Sequence, residues 1–118
     1  MKDYKKYLVW QKSHQLTLDV YKLSEKYPKE ETFNLVSQIK RSSSSIPTNI
    51  AEGCGRKSDK DFSRFLYISF GSANELEYQM LLSKDLNFIS AEDYEKLQLQ
   101  TEEIKKMLSA LIKTLNVS

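Results

Sequence analysis

Cysteine is nearly absent from this 118-residue chain: Cys54 stands alone, so no internal disulfide can form. Glycine and proline are also scarce, with three and two residues, which argues against a turn-rich all-β fold. The longest apolar run is far too short to cross a bilayer, and residues 1–6 lack the apolar stretch of a signal peptide. These absences predict a soluble, cytoplasmic protein without a membrane segment.

Histidine is equally rare, which bears on catalysis and metal binding. His14 is the only one, so a multi-histidine metal site is excluded and we expect this residue to be a partly exposed polar side chain. Gly53 and Gly55 follow a predicted helix rather than a strand, unlike a phosphate loop. Cys54 between them could be accessible but has no evident activating base. The sequence predicts a protein that is not an enzyme and has no catalytic residues, metal site or cofactor.

Composition and charge describe one domain with two unlike halves. With 40% hydrophobic residues, the chain suits a single compact domain over residues 1–118. The net charge of +2 hides an asymmetry, because residues 1–60 contain 12 Lys and Arg against 7 Asp and Glu, whereas residues 61–118 contain 6 against 9. A basic first half is consistent with a face for nucleic acid. It is also consistent with two halves that attract each other within the fold or between subunits.

Four segments have apolar residues at alternating spacings of three and four, which is the pattern of amphipathic helices. Three of them span about residues 9–26, 31–53 and 59–87, and the fourth follows Ser90. Capping boxes mark two starts, since Ser58 precedes Asp61 and Ser90 precedes Asp93 by three residues. Because the connections are short, we predict an all-α, antiparallel up-down-up-down four-helix bundle.

The run at 42–56 is the most unusual part of the chain, because it places four serines and a proline inside the second predicted helix. We expect Pro47 to kink this helix, with nearby serine hydroxyls bonding the freed backbone groups; a break into two helices is the alternative. Small residues at facing levels of helices two and three would let their backbones approach closely. These residues are Ser42, Ser43, Ser69, Ser72 and Ala73.

Helix three carries a second apolar stripe beside its core face, formed by Tyr67, Phe70, Tyr78 and Leu81. Together the two stripes are much wider than the roughly 100° that a bundle helix buries. We therefore predict that these four residues form an interface between copies of the chain. Glu77 falls within the same arc, and we expect a structural role for it, with Arg41 or Asn49 of helix two within reach.

Basic residues give the remaining chemical signal. Such side chains can contact phosphates without recognising sequence, and the alternative is an ordinary solvated surface. In an oligomer each basic patch would be repeated, so weak contacts would combine. The candidates are Lys5, Lys6, Lys12, Lys22 and Lys26 on helix one or its approach, Arg41 on helix two, and Arg56, Lys57, Lys60 and Arg64 near the connection between helices two and three.

Five short motifs resemble the signature of the bacterial 23S rRNA-intervening sequence protein family. They read Leu-Val-Trp-Gln-Lys at 8–12, Gln-Ile-Lys-Arg at 38–41, Ser-Ile-Pro-Thr-Asn-Ile-Ala-Glu-Gly at 45–53, Arg-Lys-Ser at 56–58 and Gly-Ser-Ala-Asn-Glu-Leu-Glu at 71–77. The resemblance implies a four-helix bundle. It also implies a homopentamer, since several members, including the similar accessory proteins of diversity-generating retroelements, form pentameric rings with basic surfaces. Those accessory proteins associate with a reverse transcriptase and with nucleic acid.

Residues and resemblance together lead to one functional expectation and one alternative. We expect a non-enzymatic oligomeric bundle that contacts RNA or a nucleoprotein partner through repeated basic patches. The alternative is a homo-oligomeric protein-interaction scaffold that binds no nucleic acid. The dependence of RNA affinity on salt separates them, because phosphate contacts weaken steeply as salt rises.

Overall fold

Four α-helices account for most of the structure, which is a computed structural model that describes residues 2–115. No strand occurs among these residues, so the all-α prediction is confirmed. Met1 and residues 116–118 of the predicted domain lie outside the described residues. The helices are α1 at Leu8–Ser24, α2 at Leu35–Cys54, α3 at Asp59–Asp85 and α4 at Ala91–Leu115, with single 3-10 turns at Tyr4–Lys6 and Lys29–Glu31.

The helix starts follow local capping. The Ser58 hydroxyl accepts a hydrogen bond from the Asp61 amide at 3.1 Å, and the Ser90 hydroxyl accepts one from the Asp93 amide at 3.0 Å. The predicted capping of the first turns by the two serine hydroxyls is therefore confirmed. Helix α2 starts four residues later than predicted, because Asn34 has a non-helical backbone, with φ −125° and ψ −105°.

Residue numbers run in opposite directions along neighbouring helices. As residue numbers rise along α2 they fall along α3, and the same is true of α1 against α4. Within residues 2–115, the backbones of α1 and α3 each lie close to α2 and α4, so the helices form a ring of four neighbours around one core. The pairs are Ser42–Gln79, Ser45–Ser72 and Ile46–Ser69 for α2 and α3, and Lys12–Glu103 and Asp19–Gln100 for α1 and α4.

The apolar residues at spacings of three and four supply the core. Every residue of the following set is buried: Leu16, Val20, Leu23 and Tyr27; Leu35, Ile39, Ile46 and Ile50; Phe62, Leu66, Ala73, Leu76 and Met80; Leu97, Ile104 and Leu108. Tyr94, Leu111 and Leu115 at the ends of α4 pack against this core but are only partly buried. Burial of these apolar surfaces is the main term that stabilises the bundle.

Helix α2 is continuous across Pro47, so the alternative of two separate helices is wrong; the kink stays a prediction. Proline has no amide hydrogen, and this deprives the Ser43 carbonyl of its donor within the helix. We expected a serine hydroxyl to serve this carbonyl. The donor is instead Thr17 of α1, because α1 packs against this turn of α2. The Thr17 Oγ1 lies 2.9 Å from the Ser43 oxygen and 2.9 Å from the Ser13 oxygen, so the two carbonyls share one hydroxyl hydrogen.

Serine hydroxyls join α2 to α3. The Ser69 hydroxyl donates to the Ile46 carbonyl oxygen at 2.9 Å, and a serine side chain reaches a neighbouring backbone only if the two helices lie close together. Ser42 donates to Oε1 of the buried Gln79 at 2.6 Å. The serine run therefore packs α2 closely against α3, as predicted.

Removing the Thr17 hydroxyl should destabilise the protein, because Pro47 leaves the Ser43 carbonyl without an amide donor. We expect Thr17→Val to lower the free energy of unfolding by about 1–2 kcal/mol, because the Ser43 carbonyl loses its donor. Urea unfolding measures this loss. In the Pro47→Ala background residue 47 regains an amide that can serve Ser43, so the cost of Thr17→Val should fall below about 0.5 kcal/mol there. Equal costs in both backgrounds would contradict this role of Thr17.

Candidate nucleic-acid interface

One end of the bundle collects most of the predicted basic residues. The start of the chain docks on the end of α2, where the Lys2 amide donates to the Cys54 carbonyl oxygen at 3.2 Å and the Lys2 amine lies 3.7 Å from a carboxylate oxygen of Asp59. The 3-10 turn Tyr4–Lys6 also contacts α2. Two separate parts of the sequence thereby meet. We call the resulting cluster the basic end, and it contains Lys5, Lys6, Arg56, Lys57, Lys60 and Arg64.

The other four candidates lie elsewhere. Lys22 and Lys26 line a cavity between α1 and the first turns of α4, toward the opposite end of the bundle. Lys12 pairs with Glu103 of α4, and Arg41 is exposed near the middle of α2. The ten predicted cations therefore do not form one surface.

Ion pairs further divide the ten candidates. Four of them have carboxylate partners: Lys12 with Glu103 at 3.0 Å, Lys26 with Asp93 at 3.3 Å, Arg56 with Glu52 at 2.9 Å and Arg64 with Asp61 at 3.1 Å. Lys5, Lys6, Lys22, Arg41, Lys57 and Lys60 make no ion pair with another residue in the range 2–115. Four of these six unpaired cations belong to the basic end, and all four are exposed.

The two arginines of the basic end are held in place by their neighbours. The guanidinium carbons of Arg56 and Arg64 lie 4.6 and 4.5 Å from the centroid of the Phe65 ring, which is a cation–π distance for both. Asp61 contacts both guanidinium groups, at 3.9 Å from Arg56 and 3.1 Å from Arg64. Such fixed guanidinium groups lose little side-chain entropy when they bind a phosphate.

Glu77 has a structural ion pair, as expected, but not with the predicted partners. Its carboxylate lies 3.3 Å from the Lys105 amine and accepts a hydrogen bond from the Gln98 amide at 3.1 Å. Both partners belong to α4, because Glu77 is on the side of α3 that faces α4 rather than α2. The expectation of Arg41 or Asn49 was wrong, and the Asn49 amide donates instead to Ser45 of its own helix.

The predicted oligomer stripe on α3 is mostly exposed in the single chain. Tyr67 and Tyr78 are 57% and 60% exposed, and Leu81 is 38% exposed. Phe70 differs, because it packs partly against the core and the Lys105 amine lies 5.6 Å from its ring centroid. Three of the four side chains are therefore available to a partner.

Cys54 and His14 have different surroundings. Cys54 is only 1% exposed, which corrects our expectation that it could be accessible, and burial raises the pKa of its thiol. His14 is exposed and stacks on Trp10. In the described part of the chain, no three potential ligands of the His, Cys, Asp and Glu types converge on a metal position. None of the helices in residues 2–115 combines the length and the apolarity that crossing a membrane requires.

Burial of Cys54 makes a chemical prediction. We expect a thiol reagent to modify the folded protein at least about tenfold more slowly than the protein unfolded in guanidinium chloride. The raised pKa reduces the thiolate fraction at neutral pH, and the packed end of α2 excludes the reagent. Following the thiol reaction by absorbance in both states measures the ratio. Equal rates would show that the end of α2 opens readily.

Comparison with known proteins gives a family match and similar solved structures. The sequence profile described as 23S rRNA-intervening sequence protein matches residues 5–110. The crystal structure of a protein of unknown function from the S23 ribosomal protein family of Bacteroides thetaiotaomicron is similar, with 34% sequence identity and a TM-score of 0.84. The similarity covers 90% of this chain and 99% of that one. No curated protein matches.

Proposed function

Because the chain belongs to the 23S rRNA-intervening sequence protein family, we propose that it is a non-enzymatic, oligomeric bundle of the cytoplasm that contacts RNA or a nucleoprotein partner. The contact is made by the basic end, repeated in every subunit of the assembly. The similar solved structure is assigned to an S23 ribosomal protein family, a name consistent with RNA as the ligand class.

The observation that carries this proposal is the group of unpaired cations at one end of the bundle. Lys5, Lys6, Lys57 and Lys60 are exposed and have no carboxylate partner among residues 2–115. Unpaired ammonium groups can approach phosphates without first breaking an ion pair, and each contact releases counterions from the nucleic acid. These contacts position RNA without selecting its sequence.

Association of subunits supplies the affinity that one modest cluster lacks. The exposed stripe of Tyr67, Tyr78 and Leu81 is the surface through which copies associate, and five subunits are the number implied by the family resemblance. Each subunit then adds one basic end to the assembly. Several weak contacts on one RNA combine through a high effective concentration.

One observation favours the alternative of a protein-interaction scaffold without nucleic acid. The basic end also contains carboxylates, and four of the ten candidate cations are already neutralised by ion pairs. Such pairs reduce the field that attracts a polyanion. The carboxylates at this end are Asp3, Glu52, Asp59 and Asp61.

Two double variants with the same change in net charge test the proposal. Lys57→Gln with Lys60→Gln removes two cations from the basic end, and Lys22→Gln with Lys96→Gln removes two from the cavity near the opposite end. We expect the first variant to bind a structured RNA at low salt about tenfold more weakly than the wild type, and the control to stay within about twofold. Equal losses would show that only total charge matters and would contradict the proposal.

A further inference from the structure

A row of ring side chains lies along the outer groove between α1 and α2. Trp10 and His14 stack with their planes only 7° apart and their centroids at 5.1 Å, and Tyr4 meets Trp10 edge-on at 4.9 Å. Tyr21 continues the row two helical turns beyond His14. We call these four residues the aromatic track. Three of them come from α1, at positions 10, 14 and 21, which share one helical face.

Two rings of the aromatic track, Tyr4 and Trp10, pack partly buried against the core, and the other two do not. The core face of α1 consists of Leu16, Val20 and Leu23, whereas His14 and Tyr21 are exposed. Beside the track lies an open cavity of about 510 Å³, whose α2 side consists mainly of small residues. Those residues are Ser44, Pro47, Thr48 and Ala51. Tyr4, Trp10 and His14 also line this cavity, so a flat ligand in it can meet His14 without displacing a large side chain, and Tyr21 lies beyond the cavity along α1.

Cations stand at both ends of the aromatic track. The Lys5 amine lies 5.8 Å from the Tyr4 ring centroid, and the Lys40 amine lies 5.1 Å from the Tyr21 ring centroid. Neither lysine has an ion pair within residues 2–115. Glu52 is the one carboxylate among the described residues that line the cavity, and Arg56 neutralises it at 2.9 Å. The groove therefore suits a ligand with flat rings and negative charge.

We propose that the aromatic track binds single-stranded nucleic acid. Unpaired bases stack on His14 and Tyr21, while Lys5 and Lys40 contact the flanking phosphates, a combination that binds single strands without selecting their sequence. A duplex does not fit, because its bases are already stacked on one another. This inference rests on the proposed function and narrows its ligand to unpaired RNA. The track and the Tyr67 stripe lie on different helices.

Trp10 is the only tryptophan of the chain and lies inside the track, so its fluorescence reports binding directly. We expect an oligoadenylate of about eight nucleotides to quench this fluorescence in the full-length protein. Tyr21→Ala should weaken the binding about five- to a hundredfold through the loss of one stacking platform. Lys40→Gln should weaken it about threefold or more. Phe33→Ala removes an exposed ring that belongs to neither the aromatic track nor the stripe of α3, and it should leave the affinity unchanged.

Other outcomes overturn the inference, and they separate it from the proposed function. Quenching by the matching RNA duplex at the same affinity would show that unpaired bases are not recognised. Quenching by a proline-rich peptide but not by the oligoadenylate would assign the groove to protein. If RNA binds with unchanged Trp10 fluorescence and Tyr21→Ala has no effect, the track is wrong and the proposed function stands. If neither structured RNA nor the oligoadenylate binds at low salt, both are wrong.

Discussion

Replacing Gly53 with alanine is expected to lower the free energy of unfolding by about 2–3 kcal/mol. A Cβ at this position would lie 2.8 Å from Cδ1 of Phe62 and 2.9 Å from Cβ of Phe65. Both phenylalanines are buried in the first turns of α3, so neither can retreat without disturbing the core. The penalty exceeds the gain of about 1 kcal/mol that alanine normally gives in a helix. Urea unfolding of the variant measures the loss.

Gly71 provides the matched control. It lies in α3, and a Cβ built there meets nothing within 4 Å. Neither glycine has a positive φ, so alanine strains the backbone at neither position. We expect Gly71→Ala to raise the free energy of unfolding by about 0.5–1 kcal/mol. If both variants were more stable than the wild type, the close approach of α2 and α3 at Gly53 would be wrong.

Placing two carboxylates on the exposed stripe of α3 should dissociate the assembly. We expect the double variant Tyr78→Glu with Leu81→Glu to have the mass of a monomer at micromolar concentration, with its helix content unchanged. Both side chains are substantially exposed in the single chain, so the bundle tolerates the charges. An interface between copies does not, because it would bury repeated carboxylates without partners. Sedimentation velocity and circular dichroism measure the two properties.

The control for this variant is Leu99→Glu, which places a carboxylate on an exposed leucine of α4 outside the stripe. It should leave the mass of the assembly unchanged. A wild-type protein that is monomeric at micromolar concentration would contradict the interface. Phe70 is a poor position for the same test, because it packs partly against the core and its replacement would also destabilise the bundle.

Periodicity and capping were sufficient to predict the four helices and most of the core. The apolar residues at spacings of three and four lie on the buried faces of the helices, and Ser58 and Ser90 cap the helices that follow them. These features are local, since they depend on residues within a few positions of one another. The start of α2 was misplaced because residues 29–31 form a separate 3-10 turn, and a period alone does not show where helical backbone begins.

The partners of polar groups were not predictable in the same way. Thr17 lies 26 positions from Ser43, and Lys105 lies 28 positions from Glu77. Such pairs depend on the axial level and rotation of two helices, which helical period does not fix. The serine run pointed correctly to close packing, yet it gave no reason to select a threonine of α1 as the donor to the Ser43 carbonyl.

The candidate site was predicted as a set of residues but not as a surface. The hydrogen bond from the Lys2 amide to the Cys54 carbonyl brings Lys5 and Lys6 to the connection between α2 and α3. No local sequence pattern predicts this contact. Ion pairs such as Lys12 with Glu103 also join residues that are far apart in the sequence. The sequence therefore did not show which candidate cations are neutralised. The sequence did contain a signal for the aromatic track, because the ring side chains at positions 10, 14 and 21 share one helical face.

The affinity of the wild-type assembly for a structured RNA, measured from about 50 to 200 mM salt, tests the central claim most directly. If the basic ends contact phosphates, the logarithm of the association constant should fall linearly with the logarithm of the salt concentration. The slope should become shallower when Lys57 and Lys60 are both replaced by glutamine. An assembled protein that binds no structured RNA even at the lowest salt concentration would contradict the account.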